Sequence, residues 1–257
     1  MRIFKLPVAV SFFGFLMLLF ACQKPPETFE MAMEKYQIGD YENAITLFKL
    51  TPVEEKTWYD SSISMIRTSI GNVLSKRDLE EITSLCRINE DDSLVQPIII
   101  SEIKKSWNSN MKKNPVYNFS LYDSLSFIMS NDPQTPKLLR KNEDSFFRGI
   151  WRCPRGSIKG KEIYFERNEK TKYVDAKSNK SGQGWDKGKV MYGDIFYMGN
   201  MVLDHKVRVF RSTYFGSSES MTRSKGKMTI VSEDSLLVDY EGSVSSNNRV
   251  YFIRSEN

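Results

Sequence analysis

Near Arg148 the hydrophobic residues of this chain change period, and no single layer of helices or strands can satisfy both patterns. From Phe29 to about Lys141 apolar residues recur every three or four positions. From Phe146 onward they alternate with polar ones and are punctuated by glycine, asparagine and serine. The expectation is an α+β protein of two domains: helical hairpins over residues 29–143, then an antiparallel β domain over 146–257, as an up-and-down barrel or a sandwich. Charge changes at the same place, because Phe146 to Asn257 holds 20 Lys and Arg against 13 Asp and Glu. A hydrophobic share of 40% with 12% aromatic residues suffices for packed cores and excludes a disordered chain.

In the first half, Met33, Tyr36, Tyr41, Ala44 and Phe48 lie on helix-spaced stripes broken at Gly39, which predicts two amphipathic helices meeting at a Gly-Asp turn. Further helices are expected over Thr57–Leu74, Lys76–Cys86, Ser93–Lys112 with an interruption near Pro97, and Leu121–Met129 as the last, before NDPQTP. Tyr36, Gly39-Asp40-Tyr41, Ala44 and Phe48 resemble the centre of a tetratricopeptide repeat. That resemblance implies close-packed helix pairs used for contacts with other proteins, although a stable array needs about three such repeats.

In the second half, period-two runs cover Arg148–Cys153, Glu162–Arg167, Lys172–Ala176, Lys189–Met198, Lys206–Tyr214, Lys227–Val231, Leu236–Glu241 and Arg249–Arg254. RNEK, KSNKSG, MYGD, SED and SSNN read as the turns among these eight strands. Gly149-x-Trp151 on the first strand and Arg254 on the last resemble the lipocalin-like pattern. In that family the tryptophan closes one barrel end and the arginine lies across its ring. Such a barrel either holds a small apolar ligand or is filled by its own side chains; the Tyr, Phe and Met content favours filling.

The N-terminus carries an address. Arg2 and Lys5 precede an uncharged run, Val8 to Phe20, whose 13 residues fall short of the roughly 20 that a spanning helix needs but fit a signal peptide. The run closes with Leu19-Phe20-Ala21-Cys22, which resembles the lipobox of bacterial lipoproteins, with Phe20 bulkier than usual. The resemblance implies removal of residues 1–21, covalent diacylglycerol and acyl lipid on Cys22, and a short proline tether over residues 22–28. Gln23 beside the cysteine resembles the sorting signal for the outer membrane, with either leaflet open. No other cofactor is expected.

The remaining cysteines, Cys86 and Cys153, either form one disulfide, as an oxidising envelope permits, or stay as two buried thiols. There is no CxxC, and GxSxG, HExxH and GxxxxGK[ST] are all missing. The single histidine, His205, reads as a turn or strand-edge residue, and Asp91-Asp92 and Glu233-Asp234 as solvated turns. Nothing here calls for an enzyme. Arg152, Arg155, Lys159 and Lys161, with Arg223, Lys225 and Lys227 near a later turn, form a basic surface suited to anionic lipid headgroups or an acidic partner. The expectation is a non-enzymatic, lipid-anchored envelope protein that binds or assembles at the outer membrane with an envelope protein partner. The alternative is a carrier of a small apolar ligand. Nucleic acid is not an expected partner.

Overall fold

The computed structural model describes residues 24–155, 158–181, 186–213, 216–223, 226–239 and 249–255. Residues 1–21, expected to be a leader, lie outside these with Cys22 and Lys225, as does the side chain of Arg223. Among the described residues seven helices are followed by nine strands: α1 (Glu27–Gln37), α2 (Tyr41–Phe48), α3 (Lys56–Lys76), α4 (Leu79–Ile88), α5 (Val95–Asn110), α6 (Pro115–Met129), α7 (Thr135–Phe146), β1 (Ile150–Arg152), β2 (Glu162–Arg167), β3 (Val174–Ser178), β4 (Val190–Gly199), β5 (Val202–Thr213), β6 (Gly216–Arg223), β7 (Lys227–Ser232), β8 (Ser235–Asp239) and β9 (Arg249–Arg254). The fold is α+β, as its sequence pattern requires.

Two compact units divide the chain, and they do not follow the change in secondary structure. The first holds residues 24–78 and 91–102, the second 79–90 and 103–255, so the helices that end at residue 146 are shared out rather than kept apart from the strands. In the first unit, Gly39 takes φ +81°, a left-handed turn that an L side chain resists, and joins α1 to α2. Asp40 then caps α2, its carboxylate accepting from the Asn43 backbone N–H at 3.4 Å. Ala44 is fully buried, which lets the pair approach closely, and Phe29 meets Phe48 at 5.4 Å between ring centres. Asp92 is no idle turn residue: its side chain caps α5 by accepting from Leu94 and Val95, and it pairs with Lys49 at 2.6 Å.

Pro97 does not interrupt α5. It stands in the first turn, where the backbone N–H has no helical partner to lose. Asn114 and Pro115 start α6 six residues earlier than expected, Asn114 accepting from the Tyr117 N–H at 3.0 Å. Helix α7, unexpected as a separate element, begins just after NDPQ with Pro136 in its first turn.

In the second unit the strands close into an eight-stave antiparallel barrel. The order runs β1-β2-β3-β4-β5-β7-β8-β9 and returns to β1, with every stave beside its chain neighbour. β6 was missed in the alternation because GSSESMTR is almost free of strand-favouring residues, yet it pairs with β5 from Lys206↔Arg223 to Thr213↔Gly216. Along that edge β7 takes over at Leu203↔Met228, so β6 and β7 serve as one interrupted stave. MYGD is a bulge inside β4 rather than a turn. Asp194 adopts φ +52°, and a Cβ at Gly193 would come within 3.0 Å of Met221 Cε and 3.3 Å of Asp175 Oδ1. The actual β4–β5 turn is Asn200-Met201, both at positive φ.

The core of this unit is continuous from the helices into the barrel: Phe119, Phe146 and Phe147 belong to one buried cluster with Trp151, Ile163, Val174, Ala176, Ile195, Leu203, Met228, Leu236, Val238 and Phe252. These side chains bury one another inside the barrel over this length. Among the described residues no helix is long and apolar enough to cross a membrane.

Candidate functional site

One register positions both features of interest. β1 pairs with β9 as Trp151↔Arg254 and Arg152↔Ile253, and because neighbours on a strand point to opposite faces, the first pair turns inward and the second outward.

The inward pair closes an end of the barrel. Trp151 is fully buried and its indole N–H donates to the Phe147 carbonyl at 3.4 Å. The Arg254 guanidinium lies 4.9 Å from the Trp151 ring centre and 5.9 Å from that of Phe146, and donates to the carbonyls of Phe146 at 2.5 Å and Glu233 at 2.9 Å. Burial lowers its pKa, against the pull of Asp234 and Glu233. The pairing anticipated from the sequence thus exists, and it is joined by groups that the sequence did not single out. The buried carboxylate of Glu143, on α7, accepts from the Tyr197 backbone N–H at 2.9 Å and pairs with Arg167 at 3.0 Å. Burial raises the Glu143 pKa, which those two partners oppose. Tyr197 donates its hydroxyl to Asp123 at 2.6 Å, and that hydroxyl accepts from the Met201 N–H at 3.1 Å. Glu233, expected in a solvated turn, is half-buried and accepts the Val116 N–H at the start of α6. Helices α6 and α7 are therefore fastened to the barrel end by carboxylates aimed at backbone N–H groups and by stacked rings such as Phe119 on Tyr197. These contacts join helix to strand.

His205 is not at a turn or an edge. It points into the barrel from mid β5 with 1% exposure, its ring edge-on to Tyr192 at 5.9 Å, and neither ring nitrogen has a hydrogen-bond partner among the described residues. Burial lowers its pKa. The Asp204 carboxylate and the Leu203 backbone pull the other way. Cys86 and Cys153 are free buried thiols, so the disulfide left open by the sequence is not formed. Burial pushes the Cys86 thiol up to about 12; Cys153 is raised as well, although its thiol donates to the Arg155 carbonyl at 2.9 Å. Neither is a ready nucleophile. Among the described residues no three His, Cys, Asp or Glu gather as metal ligands would.

The outward pair borders a half-open recess of about 380 Å³. Its lining includes Arg152, Cys153, Pro154 and Lys159 from β1 and the loop after it, and Ile253 and Ser255 from the end of β9. The loop is held by backbone bonds, Gly160 N–H to the Cys153 carbonyl at 2.8 Å and Cys153 N–H to the Lys161 carbonyl at 2.9 Å. Arg155 lies over the Tyr251 ring at 4.7 Å, two residues before Ile253 along the same strand face. Of the basic residues noted in the sequence, Arg152 and Lys159 are brought to one recess. Lys227 is exposed at the start of β7.

Comparison of the chain with protein-family models, with curated proteins and with solved structures finds no match.

Proposed function

We propose that this is a non-enzymatic lipoprotein of the bacterial envelope, held at the outer membrane by lipid on Cys22, that acts by binding through its outer surfaces. The observation that supports this reading is the buried cluster inside the barrel: Ile163, Ile195, Leu203, Leu236 and Phe252 bury one another there, which suits a scaffold better than a cup. The helical unit then serves protein contacts in the manner of a tetratricopeptide hairpin, a likeness supported by the Gly39 turn and the buried Ala44. The barrel is lipocalin-like in its closure, a likeness supported by Arg254 over Trp151.

Membrane fractionation tests the anchor, since Cys22→Ser should move the protein from the membrane to the soluble envelope fraction. Unchanged membrane retention would overturn it. Native mass spectrometry separates scaffold from carrier. A scaffold leaves at the mass of the chain alone, whereas a co-purifying apolar molecule would establish the carrier reading.

A further inference from the structure

We propose that the recess beside β1 and β9 is a binding site for a phosphate ester, with Arg152 and Lys159 holding the phosphate and Pro154 and Ile253 receiving the carbon body next to it. At about 380 Å³ the recess lies within the range of small-molecule sites, roughly 300 to 1,000 Å³. Among the described residues its lining joins cations to mainly apolar side chains and holds no carboxylate.

The decisive observation is that these two cations share one recess while neither is paired among the described residues. Elsewhere on the barrel Lys177, Lys180, Lys189, Lys206, Arg208 and Arg249 each meet a carboxylate within ion-pair distance. Arg152 and Lys159 are exposed and form no ion pair among the described residues. The acid nearest in effect, Glu162, is already bound to Lys180 at 2.5 Å and to Asn179 at 3.0 Å, and feels Arg152 only through space. Arg254 lines the same recess, but its guanidinium is committed to two carbonyls behind it.

The chemistry selects phosphate. A guanidinium offers a planar fork that grips two oxygens, and an ammonium adds a compact charge for a third. Arg155 over Tyr251 strengthens the positive field beside them. Pro154 and Ile253 give a bare ion nothing to bury against, so an ester with a carbon body fits better than inorganic phosphate. Two sources share this chemistry: a phospholipid headgroup at the bilayer and a soluble phosphate ester. The first rests on the membrane-tethered reading above; the second does not.

The test uses the Cys22→Ser chain, which brings no lipid of its own. Probes are phosphatidylcholine vesicles with and without phosphatidic acid, followed by co-sedimentation, and glycerol 3-phosphate, followed by calorimetry. The expected result is binding to at least one phosphate probe that weakens at least tenfold in Arg152→Gln/Lys159→Gln. It should stay within twofold in Lys170→Gln/Lys187→Gln, which removes the same charge from exposed sites elsewhere. Vesicle binding without glycerol 3-phosphate binding assigns the headgroup; binding of glycerol 3-phosphate assigns the soluble ester. Equal behaviour of the two double variants, or no binding to either probe, overturns the site. Fractionation of the unaltered protein judges the anchor separately.

Discussion

The barrel treats buried polarity in opposite ways at its helix-fastened end and at its middle. At the end, Glu143, Arg254, Asp123 and Glu233 all find partners, because helices α6 and α7 and the strand turns supply N–H groups, carbonyls and an arginine within reach. In the middle, the ring of His205 lies beside Tyr192 of the neighbouring stave and finds none. The β4–β5 ladder is bulged opposite His205, and the His205 backbone N–H bonds the Asp204 carboxylate at 2.9 Å, while no such group meets the ring nitrogens. Reach to a partner decides the outcome more than burial does: Asp175, also buried on a stave, accepts from the Asn168 amide at 2.9 Å and from the Asp194 N–H at 3.1 Å.

The largest effect should come from the end. Trp151→Ala removes the ring that Arg254, Phe146 and Phe165 pack on, and should cost about 4 kcal/mol in urea unfolding. Glu143→Ala comes next at about 3 kcal/mol. It leaves the Tyr197 N–H buried and Arg167 short of one carboxylate, with Asp144 retained as a second partner at 2.7 Å. Arg254→Gln should cost about 2 kcal/mol through loss of the ring contact and of the bonds to Phe146 and Glu233. If these three cost no more than exposed substitutions do, the end is not the fastening described.

The smallest effect should have the opposite sign. His205→Leu removes two unbonded ring nitrogens and should stabilise the fold by about 1 kcal/mol. The same variant tests the pH dependence. Burial makes the folded imidazole harder to protonate than that of the unfolded chain, which titrates near 6.5. Above that value both states are neutral and stability is level. Below it the unfolded chain binds a proton that the folded barrel does not, so stability falls until the lower folded value is reached. Comparing His205→Leu with the parent by urea unfolding between about pH 7 and pH 5 should show the parent losing more. Parallel curves would mean that the ring is solvated or bonded.

Much of the fold was legible because period is a local property. Two strands, Glu162–Arg167 and Arg249–Arg254, have the limits their alternation indicates, and the helices over α1 to α4 follow their apolar spacing. What escaped has physical causes. β6 is held as a strand by its pairing with β5 and not by its own propensity. α7 lay behind a proline-rich stretch that reads as a loop until Pro136 is seen to occupy a first turn, where proline is tolerated. The candidate site was half visible: Arg152 and Lys159 stand in one basic run, whereas Ile253 and Ser255 arrive from about a hundred residues away through β1–β9 pairing.

By itself the sequence determined the two halves, their charge asymmetry and the Trp151 and Arg254 positions, and it raised the expectation of a leader over residues 1–21, since all of these are read from neighbours along the chain. Only the tertiary structure decided that the last helices belong with the barrel, that His205 faces inward without a partner, and that Arg152 and Lys159 share a recess. Those depend on register and closure. A strand's pattern states that it has two faces, but which groups lie opposite each face is settled only when the staves pair.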